Sequence, residues 1–286
     1  MSEPAPKTPQ DMQRLQQLSL TAWEIEQELT TEAPARAVRA ATMRTHERLA
    51  AEFDKWTDID SDKRTQMRVR PEAQEAVLLI HGSTGNPGDL RGVADHLFER
   101  GFTVCNILLP GHGHEGSGQP EVLWKACLNE ALLRYGILER VYDKVHVVGF
   151  SFGGALALHL AQKERPSSLV LLSAALNPKV GFWKNLLLNM GLYRVPFVRR
   201  RVGWNLEVFE CMDKAKSLVG KLRLPIYAAH CDDDPRIDSS SLRFLQRKAK
   251  HRASRFRLYP KGGHMILEAH GRDSLNVEIG EFLKRS

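Results

Sequence analysis

The chain is poor in cysteine, has no long apolar run and gathers no metal ligands, and each shortage removes a class of function. Its four cysteines, Cys105, Cys127, Cys211 and Cys231, are scattered through 286 residues without a Cys-x-x-Cys pair. That pattern excludes a disulfide framework or a zinc ribbon and fits buried structural thiols in a reducing compartment. No apolar stretch approaches the roughly twenty residues that span a bilayer, and no basic-then-apolar leader opens the sequence. Neither a transmembrane helix nor a secretory signal is therefore expected, and the cytoplasm is the expected location. Aromatic residues are only 7% of the chain, and they are not interleaved with basic residues in a nucleic-acid module. The net charge of +7 is spread widely, so no nucleic-acid partner is expected. One local cluster, Arg199-Arg200-Arg201, reads first as a solvated loop. Its alternative reading is peripheral contact with acidic lipid or with an anionic substrate.

What is present is organised around Lys144-Val145-His146-Val147-Val148-Gly149-Phe150-Ser151-Phe152-Gly153-Gly154-Ala155-Leu156. A β-branched run stops at a Gly-x-Ser-x-Gly pentad and an Ala/Leu-rich helical pattern begins at once: strand, corner, helix. A serine at so sharp a corner takes a strained backbone, and side chains two residues either side would collide. Gly149 and Gly153 remove those side chains and leave the Ser151 hydroxyl at the tip, facing the amides of the helix start. Ser151 is the candidate nucleophile. The pentad alone could equally be a Gly/Ser turn; the flanking strand and helix, and the partners of the serine, decide between them.

The length suits one large α/β domain or two small ones. Residues 1–70 read as a mostly helical N-terminal extension: a polar start, a helix opened by Thr8-Pro9-Gln10-Asp11, and a second helix carrying Val38, Met43, Leu49 and Phe53. These helices dock on the body or serve an interaction or membrane-surface role. Residues 71–286 read as strands alternating with helices. A short edge strand lies near Met67–Arg70, and further strands lie near Ala76–Ile80, Phe102–Leu109, Val145–Phe150, Ser168–Ala174, Leu224–His230 and Arg255–Tyr259. That alternation predicts a mostly parallel sheet with helices on both faces. Residues about 177–223 interrupt it with Phe182, Trp183, Tyr193, Phe197, Trp204 and Phe209, and read as a cap over the carboxyl ends of the strands.

A serine hydroxyl needs a base to take its proton and a carboxylate to orient that base. After the strand ending at His230 comes Cys231-Asp232-Asp233-Asp234-Pro235-Arg236-Ile237; after the strand ending at Tyr259 comes Lys261-Gly262-Gly263-His264. His264 is the candidate base. Asp234 is the chosen acid, although spacing alone does not separate it from Asp232 or Asp233. His112 and His114 read as loop residues rather than metal ligands, His146 and His230 as core, and His81 as shaping its own loop.

Taken together, His81-Gly82-x-x-Gly85, Pro110-Gly111-His112-Gly113, Gly149-Phe150-Ser151-Phe152-Gly153-Gly154, Asp234-x-x-Ile237 and Gly263-His264 resemble the α/β-hydrolase superfamily. More narrowly, they resemble bacterial carboxylesterases and monoacylglycerol lipases, from about Gln74 to the C-terminus. The resemblance implies Asp234 as the acid, three residues before Ile237. It also implies an oxyanion hole built from the backbone N–H groups of Ser83 and Phe152. Ser83 stands where that family often has a large apolar residue, which implies a smaller and more polar acyl-pocket wall. The expected activity is hydrolysis of a small-molecule carboxylic ester through an acyl-enzyme, with no metal or organic cofactor. A thioesterase or C–C bond hydrolase on the same residues is the nearest alternative, and a non-catalytic ligand-binding or partner-binding protein is the alternative from another class. Serine at the elbow, in place of aspartate, argues against a haloalkane dehalogenase.

Overall fold

A computed structural model of the chain describes residues 60–113, 123–179, 206–268 and 272–286. The expected N-terminal helices, His114, most of the expected cap with its aromatics from Phe182 to Trp204, and Arg199–Arg201 lie outside the described residues.

Among the described residues, seven strands form one sheet in the order β1-β3-β2-β4-β5-β6-β7. They are β1 (Gln66–Arg68), β2 (Glu75–Ile80), β3 (Thr103–Ile107), β4 (Lys144–Phe150), β5 (Ser168–Leu172), β6 (Ile226–Cys231) and β7 (Arg255–Tyr259). Among the described strands β1 alone runs antiparallel, against β3; the other strand pairings of the sheet are parallel. Parallel neighbours need crossovers, and six described helices are α1 (Arg91–Glu99), α2 (Trp124–Val141), α3 (Phe152–Lys163), α4 (Leu206–Val219), α5 (Ser240–Lys248) and α6 (Arg272–Lys284).

The period-two alternation of each strand divides the core. Leu78, Ile80, Val145, Val147, Leu169 and Leu171 face a cluster with residues of α2, α3, α4 and α5. Val77, Leu79, Val148, Phe150, Val170 and Leu172 face a second cluster with residues of α1 and α6. With both faces covered, the central strands are largely apolar, with Thr103, Asn106, His146 and His230 as buried polar exceptions. The edge strand β7 is mostly exposed and carries Arg255 and Arg257, whose charge discourages pairing with another sheet.

Two strands end earlier than their apolar runs suggest. The run Phe102–Leu109 leaves the sheet at Ile107 because the next amides find other acceptors: Leu108 N–H donates to Thr65 Oγ1 at 2.9 Å, and Leu109 N–H to His81 Nε2 at 3.0 Å. The run Ser168–Ala174 ends at Leu172 because Ser173 turns to a left-handed φ of 45°. The last part of the segment expected as a cap packs against the body: α4 buries Cys211, Ala215 and Val219 in the main core, and His159 Nε2 of α3 donates to Cys211 O at 3.0 Å. An amphipathic crossover helix carries the same apolar residues as a cap, so composition alone could not separate them.

Candidate active site

The site begins with a main chain that has no room. Between β4 and α3, Ser151 sits at φ 53°, ψ −114°, a left-handed conformation that a non-glycine residue holds only when its surroundings enforce it. A Cβ on Gly149 would lie 2.4 Å from Gly153 O, and one on Gly153 would lie 2.1 Å from Ile80 O. Gly154 is equally constrained, because its Cβ would meet the Cβ of Ala174 at 2.9 Å. The corner is then tied down from the neighbouring strand: Ser151 N–H donates to Leu172 O at 2.8 Å, and Ser151 O accepts from Ala175 N–H at 2.9 Å. The need for Gly149 and Gly153 was visible in the sequence. The role of Gly154 was not, since its partner Ala174 is supplied by β5's loop.

The loop after β2 lies against the serine, with a Cβ on Gly82 falling 3.4 Å from Ser151 Cβ. Two histidines fix that loop. His81 Nε2 accepts from Leu109 N–H at 3.0 Å, so its Nδ1–H donates to Gly82 O at 2.8 Å. Burial pushes the His81 pKa down to about 3, with a smaller contribution from neighbouring His112, so the ring is neutral and its tautomer set. His112 stands edge-on to His81 at 5.0 Å between centroids, with Nδ1 3.0 Å from Pro110 O and Nε2 2.8 Å from Ser83 O; a neutral ring donates to one of these carbonyls, and the shorter contact is to Ser83 O. With the Ser83 carbonyl held by His112, the loop is anchored on both sides of the Ser83 amide. Phe152 supplies the first amide of α3, one of the N-terminal N–H groups that a helix leaves without an internal partner.

Asp234 and His264 come from the loops after β6 and β7, far from Ser151 in sequence, and meet it at the carboxyl edge of the sheet. His264 Nε2 lies 2.9 Å from Ser151 Oγ, and His264 Nδ1 lies 2.8 Å from Asp234 Oδ2. A carboxylate can only accept, so Nδ1–H donates to Asp234 and Nε2 is left to accept the serine proton. All three side chains are buried, and the Phe150 ring flanks His264 at 5.3 Å. Burial raises the Asp234 carboxyl, but hydrogen bonds from His264 and the amides of Ile237 and Arg236 outweigh it and hold its pKa below the ordinary carboxylate value.

The three consecutive aspartates have three different sets of partners. Asp232 accepts from Ser239 Oγ–H at 2.7 Å, Asp233 from the amides of Gly262 and Gly263, and Asp234 from His264. Adjacent residues in a loop point different ways, so spacing could not assign them. His230, expected in the core, also touches the site: its Nε2 donates to Ile237 O at 3.0 Å and lies 3.5 Å from Asp234 Oδ2. Lys179 Nζ donates to Asp234 O at 3.2 Å. No sequence signal marked either contact, because each depends on loops brought together by the fold. Among the described residues no group of His, Cys, Asp and Glu could hold a metal ion, and no helix is long and apolar enough to cross a membrane. The four cysteines are buried free thiols, and burial pushes those of Cys105 and Cys127 up to about 12.

Comparison with known proteins agrees with this fold. A family model described as the alpha/beta hydrolase fold matches residues 75–212. A thermostable monoacylglycerol lipase of Bacillus sp. (strain H-257) is 37% identical over 89 residues, 30% of this chain and 34% of that protein, so the match spans about a third of the relative's length. A carboxylesterase of Bacillus subtilis (strain 168) is 23% identical over 236 residues, 74% of this chain and 93% of that protein. Among solved structures, one from a study of the metagenome-derived lipolytic enzymes LipS and LipT superposes with a TM-score of 0.69 at 16% identity, over 80% of this chain and all of that one (100%). The strand order, the serine corner and the matching family model agree: the chain has the α/β-hydrolase fold, and it resembles bacterial carboxylesterases and monoacylglycerol lipases.

Proposed function

We propose that the protein is a serine carboxylic-ester hydrolase that works through an acyl-enzyme. The observation that carries this reading is the continuous hydrogen-bonded run Ser151–His264–Asp234, at 2.9 and 2.8 Å. In the first step His264 Nε2 takes the hydroxyl proton as Ser151 Oγ attacks the ester carbonyl. The carbonyl π electrons move to oxygen, and the amides of Ser83 and Phe152 receive the oxyanion. Asp234 stabilises the imidazolium while remaining ionised. The tetrahedral adduct collapses, the imidazolium gives its proton to the departing alkoxide, and an acyl-serine remains. Water then enters, loses a proton to His264 and releases the carboxylic acid, restoring the Ser151 hydroxyl. No step requires a metal or an organic cofactor.

The sequence similarity to an esterase and a monoacylglycerol lipase supports esters as the substrate class. Ser83, where the resembling family often has a large apolar residue, would give the acyl site a polar, short-walled start, and the expected substrates carry short- to medium-chain or aromatic acyl groups. Ser151→Ala tests the reading. Turnover of p-nitrophenyl butyrate is expected to fall by at least about 10³-fold, with the circular dichroism spectrum and melting temperature retained. Wild-type turnover in that variant would remove Ser151 from the mechanism. A panel of p-nitrophenyl esters from acetate to palmitate is expected to show a maximum at short or medium length.

A further inference from the structure

We propose that Asp233 is a positioning residue for His264, a carboxylate clamp that sets where the base stands. This deepens the reading of Ser151 and His264 above and rests on it. The parallel pairing of β6 and β7 ends at Cys231 opposite Tyr259, with Asp232 N–H donating to Tyr259 O at 2.8 Å. Beyond that point no ladder joins the acid loop to the histidine loop. The connection is taken over by the Asp233 side chain, whose Oδ1 accepts from Gly263 N–H at 2.8 Å and whose Oδ2 accepts from Gly262 N–H at 3.2 Å.

The sequence makes such a clamp necessary. Gly262 and Gly263 have φ of 144° and 64°, so both are in conformations that favour glycine, and two glycines in succession are the most adaptable hinge a chain can place before a residue. His264 must nevertheless hold a fixed place, since its Nε2 and Nδ1 contacts span only 2.9 and 2.8 Å. Both oxygens of one carboxylate, each on a successive amide, fix the peptide planes immediately ahead of the imidazole. The hydrogen bond from the Gly263 amide holds the Asp233 carboxyl below its ordinary range, desolvation opposes it, and the Gly262 amide adds a smaller lowering, so the acceptor is ionised at neutral pH. Because Asp233 is exposed, water replaces its bonds when it is removed. A residue of purely structural use would then change little, whereas a positioning residue would alter the chemistry without altering the fold.

Two variants and two readouts separate those roles. In Asp233→Ala, kcat for p-nitrophenyl butyrate is expected to fall about 10- to 100-fold, KM to stay within about twofold, and the melting temperature to stay close to wild type. Asp233→Asn, which keeps one acceptor, is expected to fall between the two. The second readout needs no substrate: the downfield proton resonance of His264 Nδ1–H, hydrogen-bonded to Asp234, is expected in the wild type and Asp233→Asn and broadened or absent in Asp233→Ala. Wild-type kcat with an unchanged resonance in Asp233→Ala would overturn the proposal. So would a fall in kcat that merely follows a fall in melting temperature and recovers fully on cooling. If the wild type turned over no ester and Ser151 took no covalent label, the reading of function would fail while the resonance still decided the clamp.

Discussion

The serine corner and the histidine loop meet at one hydrogen bond, yet they are held in opposite ways. Ser151 is fixed by main-chain sterics: glycines with no room for a methyl group, bonds from β5's end, and burial on every side. His264 follows two glycines, and a Cβ added at Gly263 would meet nothing within 4 Å. Its place is set by two adjacent aspartates that accept hydrogen bonds, the buried Asp234 from its Nδ1–H and the exposed Asp233 from the amides of the two preceding glycines. The contrast separates what the fold supplies from what individual side chains supply. A hydroxyl at a strand-helix corner can be placed by backbone geometry alone, whereas an imidazole that follows two glycines is placed by groups that hydrogen-bond to it and to its loop.

That contrast predicts unequal responses to one added methyl group. Gly153→Ala drives a Cβ to 2.1 Å from the Ile80 carbonyl, between two central strands, where neither side can yield. We expect little soluble protein and no cooperative melting transition, measured by thermal unfolding. A stable, active Gly153→Ala variant would mean that the corner is looser than described.

On the loop side, Asp234→Asn keeps the shape but removes the ionised acceptor for Nδ1–H. We expect kcat to fall by about 10³- to 10⁴-fold with the fold intact, since the ring can then present the wrong nitrogen to Ser151. A loss of less than about tenfold would place the orienting carboxylate elsewhere.

Acid should act on the loop over Ser151 as well. His81 has a folded pKa near 3 against an ordinary value of 6.5, so between those values the unfolded chain binds a proton that the folded chain refuses. Stability is therefore lost as pH falls through that window, by at most about 1.4 kcal/mol per pH unit for this group. Burial depresses His146, His159 and His230 in the same sense. Asp234, whose pKa is lowered, loses its own contribution only as pH falls below its ordinary value of 3.8. Guanidinium midpoints at pH 7 and pH 5 should show the decline, and equal midpoints would contradict it.

The smallest effect is expected at Gly263→Ala. The position has space but a φ of 64°, so the cost is the conformational strain of a left-handed residue, about 1–2 kcal/mol, read as a modest drop in melting temperature.

These differences also mark what could be read from the chain beforehand. The strands, their crossover helices and the elbow were legible because apolar periodicity and the Gly-x-Ser-x-Gly spacing are local signals. The meeting of Ser151 with His264 was legible as an order of loops along one sheet edge. The separate partners of Asp232, Asp233 and Asp234 were not, because neighbouring loop residues differ in direction rather than in spacing. His112 was expected to serve its loop, but its hold on the Ser83 carbonyl required the loop after β3 to fold back over the loop after β2. That residues 206–219, read as part of the cap, pack into the main core was not legible, because apolar content says that a face is covered without saying by what.

The most direct test is covalent labelling of the folded protein with a fluorophosphonate, followed by peptide mass spectrometry. The account predicts one adduct, on Ser151, that forms rapidly in the wild type, slowly in Asp234→Asn and not at all in Ser151→Ala. A folded, ester-hydrolysing protein that carried no adduct, or carried it on another residue, would contradict the assignment of the nucleophile.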